Sequence, residues 1–244
     1  MGPAARVRCR KGASFGGVLA AIAITPSAPV LVPELGGAAA AETAEIRAAI
    51  LAAATTLPRR WVAVGVGATD TVAGPRSAGT FAGYGVDIKI GLSAAADQPG
   101  ELPLCALFAG WVRGLSDQAA EVEVRVLAGA TEGAVAVARG RLLRAELDGV
   151  GHPVGVLIVA DGATTLTPPA PGGYDPDSVE LQQALDDALA YGDTAALATM
   201  SASIVGRAAF AVLAGLCEPA PRSAKELYRG APYGVGYFVG AWQP

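Results

Sequence analysis

The stretch Val154-Gly-Val-Leu-Ile-Val-Ala160-Asp161-Gly-Ala-Thr164-Thr165 decides the fold. An uncharged run of Val, Ile and Leu, too short for a helix, reads as a strand buried on both faces and therefore central in its sheet. It ends abruptly at Asp161 and a turn. Open α/β sheets place their ligands at the carboxyl ends of central strands. An aspartate in that position also caps backbone amides of its own turn. Both readings of Asp161 stand.

Working outward, Trp61–Gly67 is a second buried strand by its valine density, and Val18–Ile24 a third. Val122–Leu127 alternates in polarity, which places it nearer a sheet edge. Val86–Ile90 alternates as a half-exposed strand, and Val235–Val239 closes the chain as a strand. Helical patterns fill the gaps over 42–57, 102–115 and 132–147, then after Asp177-Ser-Val-Glu180, read as a capping box, and over 195–216. This order predicts an α/β fold: one layered domain over 18–244, with a central mixed, mostly parallel sheet flanked by helices.

Residues 1–17 form a basic extension, expected to be disordered, with Arg6, Arg8, Arg10 and Lys11 ahead of an apolar run. The combination has the outline of a signal peptide. The loop that follows Ile24, Thr-Pro-Ser-Ala-Pro-Val-Leu-Val-Pro, reads instead as structured chain, so Val18–Ile24 is taken as the first strand.

Composition excludes several function classes. The chain is 52% hydrophobic and only 16% charged, well below the roughly 25% charge of an average domain, so small apolar side chains must build the core. A net charge of −4 without an aromatic-rich basic stripe gives no basis for nucleic-acid binding. No apolar stretch is long and clean enough to span a bilayer. The three cysteines, Cys9, Cys105 and Cys217, form no CxxC pair and suit reduced thiols in a cytoplasmic protein. Cys105 and Cys217 fall in apolar helical patterns, as small buried hydrophobes do.

A single histidine, His152, rules out three-histidine zinc and two-histidine, one-carboxylate iron within one chain. It sits in the turn Asp148-Gly-Val-Gly-His152-Pro and reads as a turn residue. Gly12-Ala-Ser14-Phe-Gly16 matches a nucleophile elbow in letters, but no strand precedes it. Gly65-Val-Gly67-Ala-Thr69-Asp70 begins like a dinucleotide loop without the third glycine or a following helix, and reads as a strand ending in a tight turn.

Three segments together resemble the class III extradiol ring-cleavage dioxygenase superfamily, which also contains the MEMO-like proteins. They are Ile24-Thr-Pro-Ser27-Ala-Pro-Val-Leu-Val-Pro-Glu34, then Val156–Thr167 with Ala170-Pro-Gly-Gly-Tyr174, and finally Leu227–Tyr237. In order and spacing they cover about residues 18–244. The resemblance implies the family's α/β fold, an Fe(II) site built from histidines and a glutamate, and an acid/base histidine. Ser27 stands where the first histidine would be and Thr164 where the acid/base histidine would be. Gly67-Ala-Thr69-Asp70 has none, and the helix around Ser203–Gly206 lacks the glutamate.

The expectation is a catalytically degenerate member without metal or cofactor. Its cleft would be lined by Ser27, Glu34, Thr69, Asp70, Asp161, Thr164 and Tyr174, and would take a small molecule or a protein partner. The alternative is an enzyme of different chemistry using Asp161 or Asp70 as acid/base, with or without a carboxylate-bound Mg2+ or Mn2+. An intact ring-cleaving dioxygenase ranks last. The sequence leaves room for a homo-oligomer.

Overall fold

The computed structural model describes residues 19–244. The basic segment 1–17, Cys9 and the Gly12–Gly16 motif lie outside the described residues. The chain opens with β1 (Leu19–Thr25), passes through α1 (Pro33–Gly36) and α2 (Ala44–Ala54), and enters β2 (Arg60–Gly67). Short strands follow: β3 (Thr71–Ala73), β4 (Ser77–Thr80), β5 (Lys89–Gly91) and β6 (Gln98–Pro99). Then come α3 (Leu104–Ser116), β7 (Glu121–Ala128), α4 (Gly133–Asp148) and β8 (Val154–Val159). The chain finishes with α5 (Asp177–Tyr191), α6 (Thr194–Leu197), α7 (Arg207–Leu216), β9 (Ser223–Gly230) and β10 (Tyr237–Gln243).

Seven strands form one mixed sheet in the order β3-β7-β2-β8-β1-β10-β9. β8 is the middle strand, parallel to both neighbours, with Val156 opposite Ile22 on one side and Val62 on the other. All six of its residues are buried, as its unbroken apolar run requires. β7 lies one strand in from the edge, paired with β2 and with the short β3, in keeping with its alternating pattern.

Helices cover both faces. α2 and α3 pack on one face around Ala23, Trp61, Val124 and Leu157. α4, α5 and α7 pack on the other around Ile22, Val62, Ile158 and Phe210. The path from β1 through β2 to β7 runs one way along the sheet, and the path from β7 to β8 returns. Right-handed crossovers in opposite directions put their helices on opposite faces, and α3 and α4 obey that rule.

Three local expectations are corrected, and one strand was not expected. Val86 and Asp87 are exposed turn residues, and only Lys89–Gly91 pairs, in a separate sheet of order β5-β4-β6. The polar segment Ser223–Gly230 is an edge strand, which needs no apolar face of its own. The helix expected over 195–216 is two helices, because residues 198–206 turn back to bond the loop after β8: Val205 N–H donates to Gly162 O and Gly206 N–H to Asp161 O. The cap position of α5 lies one residue earlier than expected. Pro176 occupies the cap position, and Asp175 accepts from Asp177 N–H at 3.1 Å and from the Ser178 hydroxyl at 3.3 Å.

Candidate functional site

β1 and β8 run side by side until Ala160 N–H donates to Thr25 O, and there the two chains part. One turns through Pro26 and Ser27 into the 3-10 turn Pro29–Leu31, and the other into the loop that starts at Asp161. A cavity of about 340 Å³ opens where they diverge. Ser27 and Pro29 line one side and Asp161, Thr164 and Pro171 the other. Tyr233, Val235 and Tyr237, leading into β10, and Leu104, the first residue of α3, close it.

The loop carrying Asp161 is held by backbone bonds on both sides. Gly162 N–H donates to Gly236 O, Gly236 N–H returns to Ala163 O, and the two bonds from Val205 and Gly206 fix its outer side. Ala163 N–H donates to the buried Gln182 side-chain oxygen at 2.8 Å, and the Gln182 amide donates on to Asp186 at 2.8 Å. That amide passes between Gly162 and Gly236, where a Cβ on either residue would overlap it. A Cβ at either position would push the Gln182 amide off its bonds to Ala163 and Asp186.

On this rigid base the Asp161 carboxylate accepts from Ser27 N–H at 2.8 Å, tying the two diverging loops together. Burial pushes its pKa up to about 6, partly countered by the Ser27 bond. Loss of solvation disfavours the charged form more than one amide restores it. Tyr237 is buried and its phenol is held above the usual tyrosine range, first by burial and then by the Asp161 charge. The side-chain hydrogen bonds among the described residues include none from the hydroxyls of Ser27, Thr164 or Tyr237. Tyr233 spends its hydroxyl on Glu42 at 3.0 Å.

No family model matches the chain, and no curated protein matches it. Among solved structures, the crystal structure of the uncharacterized protein JW3007 from Escherichia coli K12 is similar, with a TM-score of 0.55. Identity is 11%, over 92% of this chain and 100% of that chain. The likeness is one of fold alone.

Of the residues expected in the cleft, the structure brings together Ser27, Asp161 and Thr164. Glu34 is exposed in the first turn of α1, and Tyr174 is exposed on a bridge to Leu166. Thr69 is exposed in the turn after β2. Asp70 accepts from Ala128 N–H at 2.8 Å and pairs with Arg139 at 2.6 Å, at a separate cavity beside α4. The Arg139 bond holds its pKa below the usual carboxylate value, which removes it as a base near neutrality. Tyr237, Val235 and Gln182 belong to the site and carry no motif. Only Gly162 and Gly236 mark the close approach of Gln182.

The Fe(II) implied by the family resemblance does not fit these residues. The cleft offers one carboxylate and neutral hydroxyls, and among the described residues no group of three His, Cys, Asp or Glu side chains could hold a metal ion. His152 precedes β8 at the other end of the strand, about 20 Å from the cleft, with its Nε2 3.1 Å from Arg60. No helix among the described residues is long and apolar enough to cross a membrane.

Proposed function

We propose that this chain binds a small molecule in the cleft between Ser27 and Asp161, on a class III extradiol dioxygenase-like scaffold that has lost its iron site. One observation carries the reading: three hydroxyls that bond no other described side chain and a carboxyl whose pKa burial pushes up to about 6 converge on a cavity walled also by Ala28, Pro29, Val30, Leu104 and Val235. A concave apolar site with a few convergent polar groups is the common form of a small-molecule site. A space of about 340 Å³ suits a single-ring compound better than a protein segment. The ligand would carry one polar edge, donating to Asp161 when ionised and accepting from Tyr237. A cytoplasmic setting fits the buried, unpaired Cys105 and Cys217.

The test has two parts. Metal content is measured by mass spectrometry after anaerobic incubation with Fe(II), Mn(II) and Zn(II), with no stoichiometric metal expected. A library of neutral and weakly acidic ring fragments is then screened by thermal shift against the protein and its Thr164→Phe variant, whose new ring fills the cavity. Hits that disappear in the variant support the reading. Stoichiometric iron, or hits indifferent to Thr164→Phe, overturn it.

A second reading makes Asp161 a general acid/base in an enzyme of different chemistry, favoured by its pKa of about 6 beside Tyr237. Divalent-metal chemistry gains less support, because Mg2+ and Mn2+ sites built from carboxylates usually use more than one and Asp70 is committed elsewhere. If Asp161→Asn left every turnover of a bound fragment unchanged, the acid/base role would be lost and the binding role would remain.

A further inference from the structure

α4 lies on α7 through a glycine crossing. A Cβ on Gly140 would overlap Val212 O, and one on Gly215 would overlap Val137 O. The contact draws one side of α4 down onto α7, while the side bearing Arg139 and Leu142 faces the sheet edge across a gap. That gap is a cavity of about 370 Å³ between α4 and strands β2, β3 and β7. Its floor and walls are Val64, Leu127, Leu143 and Val212. At its mouth Val72 and Leu142 are 66% and 69% exposed, among the most exposed large apolar side chains of the described residues.

Two ion-paired arginines span the gap without filling it. Arg139 on α4 reaches Asp70 at 2.6 Å. Arg125 on β7 reaches Glu146 on α4 with two nitrogens and Glu123 with its Nε at 2.9 Å. Both guanidinium groups lining the slot are thus already paired, Arg139 with Asp70 in the lining and Arg125 with Glu123 and Glu146 just outside it, so an anion entering the slot would have to displace a carboxylate. Water has few partners on the apolar walls, and an empty space of this size forfeits dispersion contacts on every side. An occupant with an apolar body removes both costs and covers Val72 and Leu142 as it enters.

We propose that this slot is a second small-molecule site, distinct from the Asp161 cleft, and that it takes a neutral apolar ligand such as a short alkyl chain or an uncharged aromatic compound. Its discrimination against anions comes from the pairing of both lining guanidinium groups, Arg139 and Arg125, with carboxylates, and its affinity from the walls.

The experiment titrates the full chain with N-phenyl-1-naphthylamine, a neutral dye that brightens in apolar surroundings, and with anionic 1-anilinonaphthalene-8-sulfonate. Saturable binding of the neutral dye at one site is expected, at least about tenfold tighter than the anion. Leu142→Glu changes only an exposed side chain and should weaken binding about tenfold, the scale set by one lost apolar contact in a pocket. Leu127→Phe fills the slot and should abolish binding. Thr164→Phe should leave it unchanged. Loss in Thr164→Phe with retention in Leu142→Glu would assign the dye to the Asp161 cleft and overturn the second site. No saturable binding would overturn it as well. So would binding that falls as protein concentration rises, because the slot would then be covered by a second copy of the chain.

Discussion

Replacing Asp161 by asparagine should stabilise the protein at neutral pH, an unusual outcome for a substitution at a part-buried, hydrogen-bonded position. In the folded chain the carboxyl has its pKa raised from 3.8 to about 6, chiefly by burial. The folded state therefore holds a proton that the unfolded state has released throughout the window from about pH 4 to pH 6. Stability falls with rising pH wherever the folded state binds more protons. The loss is complete above about pH 6 and absent below about pH 4. Moving the pKa from 3.8 to about 6 is worth about 3 kcal/mol. The carboxylate is reached by water through the cleft, so about 1.5–3 kcal/mol is the expected range. Asparagine keeps an oxygen for Ser27 N–H and carries no charge to desolvate. Urea unfolding of both proteins at pH 4, 5, 6 and 7 should show a gain for Asp161→Asn that grows with pH and vanishes near pH 4. The urea dependence should be the same for both. An equal gain at pH 4 and pH 7, or a loss at pH 7, would refute burial as the cause. A group kept at a cost in stability is what binding or catalysis demands of a site.

Gln182→Ala should destabilise by roughly 2–4 kcal/mol, read from the urea midpoint. It strands the buried Ala163 N–H and removes the donor to Asp186, and each orphaned group costs about 1–3 kcal/mol. Gly140→Ala should cost roughly 1–3 kcal/mol by forcing α4 and α7 apart, seen as a lower Tm, whereas Ala136→Gly on the same helix should cost nearer 1 kcal/mol. Burial pushes the Cys105 and Cys217 thiols up to about 12, so iodoacetamide at pH 8 should modify neither in the folded protein and both in urea, by peptide mass mapping. Modification of either under native conditions would mean its helix opens.

Most of the framework was legible in the chain because burial on both faces leaves an unambiguous mark. Val154–Val159 and Trp61–Val64 are apolar without interruption, and that condition holds only for inner strands of a covered parallel sheet. The alternation of Glu121–Ala128 likewise betrayed its place near the edge. The position of Asp161 at the carboxyl end of the central strand followed from the same run, and with it the expected end of the sheet for a ligand. Ser223–Gly230 left no such mark, since an edge strand's hydrogen bonds do not depend on side-chain polarity.

Folding alone settles which residues far apart in sequence meet. Asp70 and Asp161 follow neighbouring strands and read alike in sequence. Arg139, 69 residues on, commits the first to an ion pair, whereas the Ser27 amide, 134 residues back, and surrounding apolar walls leave the second poised near pH 6. Gln182 and Tyr237 joined the site through close backbone approaches at Gly162 and Gly236. Local sequence encodes periodicity and burial; the charge state of a carboxyl depends on dielectric and partners brought from elsewhere in the chain, and those exist only once it is folded.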